Sequence, residues 1–211
     1  MSPPGRPVLW DVDTQVDFVL PHGLLYVPGA EEAVPQMRRL VEWAREKGAV
    51  HVASADDHEP GDPELSDTPD YETTYPPHCL RGTPGAARIP ETAQHDPAVL
   101  PLASLPPGEV AEMIEGRQEI LIPKKRFDVF TNPNTATMVD VLNPDEVIVF
   151  GVATDVCDHA AIVGLLDRGR QVAFVEDAAR GLSAARVALC MAVWRDRGVR
   201  FTSTDEVVRA T

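Results

Sequence analysis

The run Val147-Ile-Val-Phe-Gly-Val-Ala-Thr-Asp-Val-Cys157 constrains this chain more than any other stretch. It opens with apolar, mostly β-branched residues, the pattern of a strand buried on both faces of a parallel sheet. Gly151 breaks the run into a tight turn. Residues 158–168 then place Ala161, Ile162, Leu165 and Leu166 at helical spacing, and Thr154 and Asp155 are residue types that cap such a helix. Cys157 falls in the first helical turn, where free N–H groups and the helix dipole favour a thiolate and can hold an oxyanion. The plain alternative for Cys157 is a small buried hydrophobe.

The rest of the chain alternates in the same way. Strand patterns occupy residues 7–13, 49–54, 119–122, 171–176 and 199–202, besides the central run. Helical periodicity covers Ala30–Lys47, closed by Gly48, with shorter stretches at 109–115 and 134–142 and a helix at 183–197 capped by Ser183. The expectation is an α/β protein: a Rossmann-like parallel sheet of about six strands with helices on both faces, in a single domain over 1–211. Residues 55–107 lose periodicity and are rich in proline, glycine and acids. Loops of that length are usually functional or disordered, and their dense φ-restricted and φ-permissive residues favour order here.

Composition narrows the function classes. No apolar run approaches a membrane span, and the first seven residues lead straight into a strand with no signal-peptide core, so neither membrane nor export is expected. Three widely spaced cysteines argue against a disulfide framework and for a reducing, cytoplasmic setting. A net charge of −14 without a basic block makes nucleic acid an unsuitable partner.

Three strand ends carry groups that chemistry could use together: Asp13, Lys124 and Cys157. In a parallel sheet those ends share one rim. A carboxylate, an ammonium and a thiol form a consistent set, in which lysine lowers the thiol pKa and aspartate transfers protons. Asp56-x-His58 follows another strand end, and His78 lies in the loop Tyr75-Pro-Pro-His-Cys-Leu-Arg-Gly-Thr-Pro-Gly85. Asp56, His58 and His78 are ligand types for a divalent metal, though loops are generally rich in both residues.

These residues also carry a resemblance. Asp13-x-Gln15-x-Asp17-Phe18, Asp56-x-His58, Thr68-Pro-Asp-Tyr71, the Tyr75 to Gly85 segment, Lys124 with Phe130 six residues on, and Gly151-Val-Ala-Thr-Asp-Val-Cys157 run in the order found in isochorismatase-like cysteine hydrolases. Within them the chain looks closest to the nicotinamidases (pyrazinamidases). The resemblance implies that fold, with Cys157 as nucleophile, Asp13 as general acid/base and Lys124 as its electrostatic partner. Lys124 is preferred to Lys125 by its spacing to Phe130; strand alternation alone leaves the choice open. It further implies a cis peptide between Val152 and Ala153, an oxyanion hole from the N–H groups of Ala153 and Cys157, and a pocket lined by Phe18, Tyr75, Phe127 and Val152. Asp56, His58 and His78 match the family's metal ligands. A histidine usual six residues after His58 is replaced by Glu64, which can still ligate.

The implied activity is hydrolysis of nicotinamide, or a close ring carboxamide, to acid and ammonia through a cysteine thioester. One divalent ion is implied, zinc first, with iron or manganese as alternatives. By analogy with the family the chain is a homo-oligomer. The alternatives are a cysteine hydrolase of another small amide (maleamate, ureido or N-carbamoyl compound) and a non-catalytic binding module of this fold.

Overall fold

The computed structural model describes residues 7–210; the lead-in over residues 1–6, read above as lacking a signal peptide, and Thr211 lie outside the described residues. Seven strands form one sheet: β1 (Val8–Val12), β2 (Val50–Asp56), β3 (Ala98–Val99), β4 (Glu119–Lys124), β5 (Glu146–Val152), β6 (Gln171–Arg180) and β7 (Arg200–Thr202). Their order is β3-β4-β2-β1-β5-β6-β7, and every neighbouring pair is parallel. The sequence expectation was one strand short. The extra one, β3, is a two-residue edge piece within the aperiodic stretch, too short to produce an alternation.

Among the described residues seven α-helices accompany the sheet: α1 (Val16–Val19), α2 (Ala30–Lys47), α3 (Pro107–Ile114), α4 (Thr135–Leu142), α5 (Cys157–Asp167), α6 (Ala184–Asp196) and α7 (Thr204–Arg209). Strand alternation sends Val8, Trp10, Val12, Val147 and Val149 into one core with Val110, Met138, Ile162, Leu165 and Trp194 from α3 to α6. Leu9, Ile148, Phe150 and Val152 enter the other core, against Phe18, Met37, Leu40, Val41 and Val207 from α1, α2 and α7. Two buried faces explain why the strands read as continuous apolar runs rather than alternating ones. α1 and α7 were not anticipated, being only four and six residues long. For α7 the signal existed: Ser203 and Glu206 form a capping box.

The chain order reverses between β1 and β5, the switch point where open α/β sheets leave a crevice at their carboxyl ends. Ladder register aligns Val12 with Ser54 on one side and Gly151 on the other, and aligns Asp56 with Lys124. Gly151 has φ of 138°, and a Cβ there would collide with the Val12 backbone, so glycine is what lets β5 close onto β1 at the crevice.

Candidate active site

Asp13, Lys124 and Cys157 meet at this crevice, each fully or almost fully buried. The Lys124 ammonium lies 2.8 Å from Asp13 Oδ2 and 3.8 Å from Cys157 Sγ, and it also contacts Asp56 Oδ1. Strand alternation along β4 explains which lysine this is. Ile120, Ile122 and Lys124 share the buried side, whereas Lys125 turns away to Asp62 and Glu59.

Asp13 occupies the left-handed region at φ 50° as the chain leaves β1. Its Oδ1 accepts from Ser54 Oγ at 2.7 Å, and its N–H donates to the Ser54 carbonyl. Burial pushes its carboxyl up, with the Asp56 charge adding to the effect and Lys124 opposing it. Cys157 opens α5 and is pushed well above the usual thiol range by burial, which outweighs the pull of Lys124 in the other direction. Burial thus opposes the thiolate that the helix start and the neighbouring ammonium favour. Lys124 is pushed up: burial works against its charge, and the carboxylates of Asp13 and Asp56 outweigh it.

The turn before Cys157 also departs from expectation. Neither Thr154 nor Asp155 caps α5, whose N-cap is Val156 without a side-chain bond. Asp155 instead reaches to the start of α6, accepting from the N–H groups of Leu182 at 2.7 Å and Ser183 at 3.1 Å and from Arg186 Nε. Ser183 caps α6 as expected. The Val152–Ala153 peptide is cis. Among the described residues, neither the Ala153 nor the Cys157 N–H donates to a backbone carbonyl outside the regular elements.

A narrow cleft opens above Cys157. Phe18, Tyr75 and Phe127 line it, together with Leu25, Val156 and Leu182. The Tyr75 phenol is pushed up to about 12, first by burial and then by the proximity of Cys157. Val152, expected on this wall, is instead packed in the core beside Phe150, because both point to the same side of β5; Ala153 lines the cleft in its place.

The far wall holds Asp56, His58, Glu64 and His78, all buried, each offering one donor atom within 4.8 Å of the others. His78 donates Nδ1–H to the Pro76 carbonyl at 2.7 Å, and His58 directs Nδ1 to Asp62 at 3.3 Å, so both rings turn Nε2 inward. His58 Nε2 is buried without a hydrogen-bond partner among the described residues. Glu64 accepts the Phe127 N–H on Oε2 at 2.6 Å, leaving Oε1 facing His58 Nε2 at 3.8 Å. Burial, then the charge of Asp56, pushes Glu64 up, while His78 is raised because Asp56 outweighs burial. Two inward imidazole nitrogens, one of them without a hydrogen-bond partner among the described residues, and two carboxylates fit a divalent cation.

Two residues of the motifs do structural work that spacing did not disclose. Gln15 clasps the Asp56 peptide from both sides, donating to its carbonyl at 2.8 Å and accepting from its N–H at 2.7 Å, and also donates to the Ala86 carbonyl. Asp17 accepts from the N–H groups of Leu24 and Cys79. Gly85 lies so close to the Asp17 carboxylate that a Cβ would collide with it. The signal for both was a polar residue in a buried stretch next to a strand end.

The isochorismatase domain model matches residues 105–206. The nicotinamidase of Escherichia coli (strain K12) is 28% identical over 189 residues, which are 82% of each chain. The nicotinamidase/pyrazinamidase of Mycobacterium tuberculosis (strain ATCC 25618 / H37Rv) is 42% identical over 78 residues, 36% of this chain and 39% of that protein. Among solved structures, the pyrazinamidase of Pyrococcus horikoshii in complex with zinc superposes with a TM-score of 0.73 at 24% identity, covering 94% of this chain and 99% of that one. The N-carbamoylsarcosine amidase of Thermoplasma acidophilum has the same fold, with a TM-score of 0.72 at 22% identity over 95% and 97% of the two chains.

Proposed function

With an isochorismatase-like hydrolase as the premise, we propose that this chain hydrolyses nicotinamide or a closely related ring carboxamide to the acid and ammonia. The observation that carries this reading is that one cleft is lined by Cys157, which Lys124 and Asp13 back from within, by Asp56, Glu64 and His78 of the cation-ready set, and by aromatic side chains. A flat ring fits between Phe18, Tyr75 and Phe127, with its carboxamide over the thiol.

Burial pushes both the Cys157 thiol and the Asp13 carboxyl up, so a proton handed from one to the other accompanies the attack. Cys157 Sγ attacks the carboxamide carbon while its proton passes to Asp13, so the thiolate arises only as the new S–C bond forms. Lys124 keeps its charge throughout and stabilises Asp13 and Sγ in their anionic forms. The N–H groups of Ala153 and Cys157 receive the oxyanion. Asp13 returns the proton to the departing nitrogen as the C–N bond breaks, releasing ammonia and leaving a thioester. Asp13 then takes a proton from water, the hydroxide oxygen bonds to the carbonyl carbon, and the acid leaves as Sγ regains a proton.

Asp56, His58, Glu64 and His78 would hold one divalent cation, zinc first, with iron or manganese as alternatives. Such an ion, when bound, supplies a handle for a ring nitrogen, directly or through water. Hydrolysis of an open-chain or N-carbamoyl amide at the same thiol is the second reading, favoured by the shared fold of the N-carbamoylsarcosine amidase. Ammonia release from nicotinamide, pyrazinamide, maleamate and N-carbamoyl amino acids separates the two. Ring amides are expected to lead, and chelation to raise their KM while Cys157 alkylation continues unchanged. Turnover of maleamate or N-carbamoyl substrates alone, by a protein that takes up no metal, overturns the first reading.

A further inference from the structure

The paired lysines at the end of β4 serve different halves of the cleft. Lys124 ends the strand and faces Asp13, Asp56 and Cys157. Lys125, one residue on, points elsewhere: its Nζ lies 3.0 Å from Asp62 Oδ2 and 3.4 Å from Glu59 Oε2. That same Asp62 oxygen receives the Glu59 N–H at 2.9 Å and stands 3.3 Å from His58 Nδ1. Three donors thus converge on one carboxylate oxygen, and one of them is the outer nitrogen of a ring whose inner nitrogen is buried without a hydrogen-bond partner among the described residues.

We propose that Lys125 is a positioning residue for the cation site, acting through Asp62 on His58. The proposal rests on the reading of Asp56, His58, Glu64 and His78 as that site. A carboxylate on the far nitrogen of a metal-binding histidine fixes its tautomer and ring orientation and strengthens the inner nitrogen as a donor. Asp62 belongs to a partly exposed turn, and an acid there would ordinarily sample several rotamers and turn to solvent. Lys125 and the Glu59 N–H hold it against His58 instead. Lys125 is itself only 26% exposed, so the ion pair is partly shielded from screening. The two adjacent lysines divide the labour because consecutive residues at a strand end project to opposite sides.

The test is zinc affinity, measured by competition with a chromophoric chelator on the whole protein, with the rate of Cys157 alkylation as an independent readout. Lys125→Met and Asp62→Asn should each weaken zinc roughly tenfold, the lower end of the range for outer partners of ligating histidines. The double variant should be no weaker than Asp62→Asn alone, since the two act in series. Lys125→Arg should restore affinity close to that of the unmodified protein, and alkylation should be unchanged throughout. Zinc binding by Lys125→Met equal to the unmodified protein, or losses that multiply in the double variant, would overturn the proposal while leaving the cation site intact. An unmodified protein that takes up no zinc overturns the cation site itself, and this inference with it.

Discussion

The wall carrying Asp13, Lys124 and Cys157 is made from three strand ends, whereas His58, Glu64 and His78 on the opposite wall are carried by the long loop after β2. Ladder register positions the first wall: Val12 lies opposite Ser54 and Gly151, and Asp56 opposite Lys124. Backbone hydrogen bonds do this whatever the side chains are. Beyond Asp56, which ends β2, the second wall is paired among the described residues only by single bridges, such as His58 to Leu80 and Leu65 to Tyr75. It is held by polar side chains that bond to backbone: Gln15 to Asp56 and Ala86, Asp17 to Leu24 and Cys79, and Asp70 to the N–H groups of Glu72, Thr73 and Thr74. A wall built from ladders tolerates change except in its reacting groups. A wall built from individual clasps depends on residues that touch no substrate.

The sharpest way to break this comparison is at the thiol. Cys157→Ala should lose at least roughly 10³-fold in kcat with little loss of stability, because no other nucleophile replaces it. Cys79→Ala and Cys190→Ala should retain turnover. Single-turnover kinetics with intact-mass detection of the thioester checks this, and an active Cys157→Ala protein would remove the covalent route altogether.

Lys124→Met should destabilise by about 3–5 kcal/mol, since it strands the buried carboxylates of Asp13 and Asp56 without their cation. The deficit should shrink as pH falls, because stranded carboxylates bind protons in the folded state at higher pH than in the unfolded chain. Urea denaturation at pH 7.5 and 5.5 measures it. In the same variant the Cys157 alkylation profile should move to higher pH, as the ammonium that opposes burial is gone.

Gln15→Ala tests the joint between the two walls. The side chain is fully buried and makes three hydrogen bonds to backbone, so its loss should cost about 1–3 kcal/mol from the unpaired groups. Zinc affinity should fall with it, while alkylation of Cys157 stays near normal. Equal losses in both readouts would show that the walls are not independent.

Glu64→Gln is the mildest change. It keeps an acceptor for the Phe127 N–H and removes one negative charge from the cation set. Metal retention should drop by less than roughly tenfold, with turnover at saturating metal scarcely altered. Equilibrium dialysis beside steady-state kinetics distinguishes this from a role for Glu64 in turnover.

Much of this architecture was legible in the order of residues. Helix α2 was delimited residue for residue, because Gly48 and an unbroken apolar stripe mark its end unambiguously. The parallel sheet followed from buried β-branched runs alternating with helices, and Asp13, Lys124 and Cys157 stood out as polar residues ending apolar strands. Local pattern determines these features because burial on both faces of a sheet leaves periodicity in the chain itself. Tertiary structure alone decided the others. That Asp155 bonds the N–H groups of Leu182 and Ser183 just ahead of α6, rather than capping α5, depends on neighbours some 30 positions away. That Ala153 rather than Val152 lines the cleft depends on where β5 ends and the turn toward α5 begins. The protonation balance at Cys157 is also beyond sequence: proximity of a lysine can be inferred from strand ends, but the cost of drying the thiol depends on everything packed around it. Lys124 and Lys125 are identical in type and adjacent in the chain; the alternation of β4 and the fold of the loop above it send one to the thiol and the other to Asp62.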